Sequence, residues 1–466
     1  MLGKDFYDNI SLLSERLAVD RSFDIIKKHL KASGVELCFF YIDGFTKDGE
    51  MQKLMGHILG MKSFSTVNEV MDNLPYIELS SARSEEDIIT AVLSGQSAMI
   101  CESFPDVAIL IDARTYPARQ TAEPDTDRVM QGARDGFVET LVMNTALIRR
   151  RIRDTRLRME HINIGGASKT DVVISYMDGI ADEKIVSSLR EKIKSAKPKS
   201  LTLGYQSLTE SIIRHGWLNP FPKVRTTERP DTASSELMEG KVLVICDTTP
   251  QVMILPTSIF DYLEQADDFY FPPLTGTYLR IVRTFILLLS VLITPLWYLV
   301  LEYDGTLPQY LQFLVPDEPG ALPIIFQLLL VEVAIDGLKI ASMNTPNMLS
   351  NSLSVVGALI LGDFAVGVGW LCEDVILYMA FVALASFAQQ NAELGYAFKA
   401  MRIMFLIFVF GFGVWGLLIG GAVFALAIAT NRTVSGDFHY LYPLIPFEPR
   451  ALKRILFRVK KNDFEN

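Results

Sequence analysis

The 466-residue sequence has only four cysteines and five histidines, and neither set is clustered. Cys38, Cys101, Cys246 and Cys372 show no C-x-x-C spacing, which excludes a zinc knuckle and a disulfide framework. Reduced, structural thiols are the expectation. His29, His57, His161, His215 and His439 are equally scattered, so no metal site and no cofactor set is legible. An excess of positive charge is missing as well: the net charge is -10, whereas a nucleic-acid partner calls for a basic face. The opening "MLGKDFYDNISLLSERL" has no apolar core behind a basic lead and no small-residue cleavage site. It reads as no signal peptide, and the large N-terminal region is expected to stay cytoplasmic.

What is present divides the chain in two. Residues 1–270 are mixed-charge soluble sequence, and nearly all the long apolar runs lie from 284 to 429. The expected fold is an α/β cytoplasmic region, made of two duplicated small α/β subdomains joined by a helical linker, followed by an α-helical multi-span membrane domain. The boundaries read are 1–120 and 161–270 for the subdomains, 121–160 for the linker, 271–430 for the membrane domain and 431–466 for a basic cytoplasmic tail.

The duplication is visible in paired segments. "VELCFFYIDGF" and "TDVVISYMDGI" each run apolar into Asp-Gly, at Asp43 and Asp178, and later Gly95, Cys101 and Pro105 match Gly240, Cys246 and Pro250 at an offset of 145. Each copy is expected as a strand ending in Asp-Gly, two helices, then two apolar strands around a Pro-containing turn. Asp-Gly is a turn signal, and neither copy brings a nucleophile with a base or a phosphate-cradling glycine loop, so no enzyme is expected. The arginine-rich "LIRRRIRDTRLRMEH" is expected as a connecting helix, ion-paired to Glu139, Asp154 and Glu160, with a lipid-headgroup or subunit contact as the other reading.

In the second half, apolar runs suggest spans at Thr284–Leu301, Ala321–Ala341, Leu353–Leu371, Val375–Phe387 and Ile403–Ala429. Arg280 and Arg283 before the first run and the basic tail after the last place both ends inside. Two inside ends need an even number of crossings. One segment is therefore re-entrant, or the last run folds as a hairpin near Gly420-Gly421. "GFGVWG" fits G-x-G-x-x-G but follows no soluble strand, so its glycines read as helix-packing residues. Asp363 lies opposite a stripe of small residues, and Glu332, Asp336 and Lys339 follow at spacings of four and three on one face. Intramembrane acids are costly, at roughly 2.5–3.5 kcal/mol each on insertion scales. These four residues are the candidate ion path, or else a self-neutralising polar cluster.

One long motif carries a resemblance. "EPDTDRVMQGARDGFVETLVMNTALIRRRI" has an acidic-Pro opening at Glu123-Pro124, then Gly132, Arg134, Gly136-Phe137, Glu139, Asn144 and Arg149-Arg150-Arg151. It resembles the motif of the GerA family of spore germination proteins, with Ala133 where the family usually has proline. "TERPD", with Glu228, Arg229, Pro230 and Asp231, also matches, as do "EGKVLVICDTTPQVMILP" and "DDFYFPP". Within the family, "IASMNTPNMLSNSLSVVGALILGDFAV" and "EDVILYMAFVALASFA" look most like the stage V sporulation protein AF branch. The resemblance implies assembly or gating roles for the motif positions. It also implies a multi-pass protein of the spore inner membrane, with its soluble region and tail facing the cytoplasm or spore core. Its A-type subunits would ring a pore for monovalent cations and act with other germination membrane proteins, either receptor subunits or a small membrane partner. The alternative is a non-conducting scaffold that clusters germination receptors.

Overall fold

The computed structural model describes residues 1–46, 48–75, 78–114, 127–213, 219–303, 305, 307–344, 365–389, 391–431 and 440–458. They form two compact units. One contains Met1–His215 and Val224–Thr257; the other contains Gly216–Lys223 and the helices after Ser258.

The first unit is an order of elements used twice. Copy one runs α1 (Phe6–Leu17), β1 (Ile25–Ala32), β2 (Val35–Ile42), α2 (Asp48–Gly60), α3 (Val67–Asn73), β3 (Leu79–Ala82), α4 (Glu85–Leu93), β4 (Ser97–Cys101) and β5 (Ala108–Ile111). Copy two runs α5 (Leu141–Arg151), β6 (Leu157–Ile164), β7 (Thr170–Met177), α6 (Glu183–Ser195), α7 (Gly204–Ile212), β8 (Arg225–Thr227), α8 (Pro230–Met238), β9 (Val242–Cys246) and β10 (Val252–Leu255). The sheets are antiparallel in the orders β1-β2-β4-β5-β3 and β6-β7-β9-β10-β8. The cysteines hold equivalent registers: Cys101 faces Leu37 and Cys246 faces Val172.

Continuous apolar runs make the central strands because both sheet faces are covered. In β2, Cys38, Phe40 and Ile42 point into the core shared with α1 and α4, while Leu37 and Phe39 point into the core under α2 and α3. In β7, Val172, Ile174 and Tyr176 meet α6 and α7, and Val173 and Met177 meet α5 and α8. Both Asp-Gly pairs sit in turns, and the amide of each Asp donates 2.8 Å across, Asp43 to the Asp24 carbonyl and Asp178 to the Arg156 carbonyl.

The expected linker is different in kind. Within 121–160, the described residues give an irregular stretch to Thr140, then α5 and the start of β6, which are the first helix and first strand of the second copy. β1 and β6 carry no strand signal in the sequence because "IIKKHLKA" and "LRMEHINI" are half polar. As edge strands they bury less.

The second unit is helical: α9 (Ala266–Tyr270), α10 (Pro273–Glu302), α11 (Ile324–Met343), α12 (Glu373–Phe387), α13 (Ala392–Phe412), α14 (Val414–Ala429) and α15 (Pro449–Leu456). Among the described residues, α10 and α13 are long and apolar enough to cross a membrane, and α14 is a shorter apolar helix. The expected first, second and fourth runs fall in α10, α11 and α12. Of the third, 353–364 lie outside the described residues, and of 365–371 only Ala365–Gly367 is helical, a single turn.

The last run is two helices, broken at Gly413 rather than at Gly420-Gly421. Gly413 takes φ 54° and ψ -131°, a conformation that a side chain disfavours. A Cβ on Gly416 would stand 1.9 Å from the Phe408 carbonyl oxygen, and one on Gly420 would stand 2.5 Å from the Phe405 ring. Of the glycines of "GFGVWG", Gly413 thus turns the chain and Gly416 lets α14 close on α13, while Gly411 has open space around it.

Candidate functional site

In the first unit the two sequence motifs are fastened to each other. Arg229 is fully buried at the start of α8; its guanidinium donates to the Ala133 carbonyl at 2.8 Å and the Asp127 carbonyl at 3.3 Å, and pairs with Asp231 at 2.7 Å. The Glu228 carbonyl accepts from the Phe137 amide at 2.8 Å, and the Glu228 side chain accepts from Gln251. Asn144 on α5, also fully buried, forms a two-way amide clasp with Val138, donating to its carbonyl at 2.6 Å and accepting from its amide at 2.8 Å. The Glu139 carbonyl accepts from Thr248 at 2.7 Å. Pro230 occupies the first turn of α8, where a missing amide hydrogen costs nothing. Phe137 and Gly136 are buried, while Gly132, Arg134 and Arg150 are exposed. Glu123 and Pro124 lie outside the described residues.

The arginines of the run are used individually. Arg149, with no exposure, reaches Asp24 through two bonds of 2.8 and 3.1 Å, so α5 of the second copy is tied to the segment before β1 of the first. Arg151 pairs with Asp135, Arg156 with Asp154 and Arg158 with Asp178. Of the three partners expected, Asp154 is used. Glu160 instead takes Arg190 at 2.7 Å. Burial favours a raised Glu160 carboxyl, and the bonds from Arg190 and Tyr176 overcome this and hold it low. Glu236 of α8 behaves alike: against burial, Lys241 and Arg225 hold it down to about 2.

In the second unit, Glu332 and Asp336 of α11 face α13, and their partners come from there. Lys399 lies 3.1 Å from Glu332 and pairs with Asp336, while Arg402 pairs with Glu332 and donates to the Ser290 carbonyl at 3.2 Å. Lys339, the cation of the self-neutralising reading, donates instead to Ser386 at 2.8 Å, with its ammonium 4.9 Å from the Phe387 ring centre. These five charged groups line a cavity of about 410 Å³ bounded by α10, α11, α12 and α13. Two acidic and three basic side chains make up the described part of the cluster. Asp363 lies outside the described residues.

Lys399 and Arg402 are not among the sequence candidates because they precede the charge-free run, which starts at Ile403. Their three-residue spacing on one helix, facing acids four apart on another, was the available signal. Arg280 and Arg283, read as orientation charges, are nearly buried and paired with Asp268 of "DDFYFPP" at 3.3 and 3.0 Å. Among the described residues, no group of three His, Cys, Asp or Glu is placed to hold a metal ion.

The family model for the Bacillus/Clostridium GerA spore germination protein matches residues 12–466. The chain belongs to the GerA family. Among its GerA relatives, stage V sporulation protein AF of Bacillus subtilis (strain 168) is 36% identical over 458 residues, covering 97% of this chain and 92% of the relative. Spore germination protein KA of the same organism is 27% identical over 95% of this chain and 82% of its own length, and spore germination protein A1 is 25% identical over 98% and 92%. The crystal structure of the N-terminal domain of the A subunit of the Bacillus megaterium spore germinant receptor GerK3 matches 54% of this chain and 95% of that chain, at 25% identity and a TM-score of 0.41.

Proposed function

We propose that this chain is a non-enzymatic, multi-span membrane subunit of a spore germination complex, and that it forms or gates an oligomeric path for monovalent cations in the spore inner membrane. The soluble unit and tail face the cytoplasm or spore core. A membrane setting is supported by the apolar side chains that the helices turn outward. Phe285 and Leu288 of α10, Val333 of α11, Leu384 of α12, Phe410 of α13 and Trp415 of α14 are all at least half exposed. Such a girdle suits lipid and not water.

The observation that carries the conducting reading is the charged cluster around the cavity. Charged groups sited among membrane helices default to function. In the state seen, Lys399 and Arg402 cover the acids; release of these cations would leave carboxylates to strip a cation of water. The tied motifs of the soluble unit would supply assembly and gating. The same ion pairs favour a second reading, a non-conducting scaffold that assembles or clusters receptors, since its acids need only satisfy one another.

Cation flux in vesicles holding the full chain, with and without its small membrane partner, separates the two. Asp363→Asn is expected to change flux or selectivity with assembly intact, and Lys399→Met to raise flux severalfold by uncovering Asp336. No leak from the unaltered chain in either mixture, with receptor clusters dispersing when it is deleted, assigns the scaffold role.

A further inference from the structure

The stretch 440–458 places an amphipathic helix at the N-terminal end of α10. Around α15, Ala451, Leu452, Ile455 and Leu456 share one side, and Arg450, Lys453 and Arg454 share the other. The apolar side is half-buried except for Leu456, and the three basic residues are exposed. Flanking them, Leu444, Ile445, Phe447 and Phe457 are exposed by 41–68%.

Hydrogen bonds fix the height of this helix along α10. Arg280 donates to the carbonyls of Arg454 and Ile455 at 3.0 and 2.7 Å, and the Arg458 amide donates to Thr277 Oγ1 at 3.1 Å. The charge-free run of α10 begins at Thr284, four to seven residues later. At about 1.5 Å per residue, α15 lies roughly 6–10 Å from the start of that run, the depth of a headgroup layer. Tyr278, at the same height, is 65% exposed. The acid in the stretch, Glu448, accepts from Tyr442.

We propose that α15 and its flanks are an interfacial anchor that binds the anionic headgroups of the lipid leaflet at the N-terminal end of α10. The basic side meets phosphate, and the exposed Phe447, Leu456 and Phe457 enter the acyl boundary. An acidic protein surface would match the arginines but leave the aromatic flank in water. The proposal rests on α10 crossing the bilayer.

The four native thiols are buried, so single spin labels can be placed at Phe447→Cys and Leu288→Cys in the full chain, reconstituted in phosphatidylcholine with or without phosphatidylglycerol. The label at 447 is expected to collide with oxygen more than with a water-soluble nickel chelate. Phosphatidylglycerol should raise that ratio roughly twofold or more, and Arg450→Glu with Lys453→Glu should abolish the rise. A label at 288 that stays lipid-facing shows that the charge-reversed chain is still inserted. Lipid contact at 288 with water contact at 447 overturns the anchor alone. Shielding of 447 from both reagents means a protein contact and overturns it, as does lipid contact indifferent to phosphatidylglycerol. Water contact at 288 overturns the span and the anchor together.

Discussion

Arg149 and Arg150 are neighbours in sequence, yet one has no exposed surface and the other lies open on α5. A sequence motif cannot separate them, since both are the same residue one position apart. The separation comes from the 100° turn per helical residue, which aims Arg149 at Asp24. Arg149→Met is expected to cost roughly 3–5 kcal/mol because it strands a buried carboxylate, and Asp24→Leu in the same chain should recover part of that loss. Hydrogen exchange at α5 and β6 in the full-length protein reads both changes.

Glu236 carries a pH dependence with a definite sign. Its folded carboxyl is held to about 2 against an ordinary 4.5, so it binds fewer protons folded than unfolded. Its contribution is whole above pH 4.5 and is lost as pH falls from there through about 2. Exchange protection in β8 and α8 should therefore fall across that window. In Glu236→Gln protection should be lower at neutral pH, with that part of the acid dependence gone.

At the scale of elements, legibility followed burial. Strands covered on both faces are mostly apolar runs, so β2, β4, β7 and β9 stand out in sequence. β1 and β6 do not, because as edge strands they are half solvated, and β8 does not because it is three residues long. The α13–α14 hairpin was half legible: a run of 27 uncharged residues is longer than one crossing needs, but the choice of Gly413 over Gly420-Gly421 depends on which glycine turns and which packs. Gly416→Val should separate the two helices, since even its Cβ falls inside the Phe408 carbonyl. The distance between spin labels on α13 and α14 is expected to lengthen by several ångströms, while the same change at Gly411, where a Cβ meets no neighbour within 4 Å, should leave it unaltered.

For the whole molecule, sequence alone determined the division into an α/β region and an apolar helical region, the internal duplication, and membership of the GerA family. Each of these depends on composition, period or motif, and all three are properties of the chain in order. Only the tertiary structure decided who partners whom. "TERPD" closes on the "GARDGFVET" motif about 95 residues before it, and Glu332 and Asp336 are answered by Lys399 and Arg402 instead of by Lys339, three residues beyond Asp336. An ion pair needs a few ångströms of approach and a direction for each side chain. Local spacing can supply that within one helix, and only the packing of α11 on α13 supplies it between two.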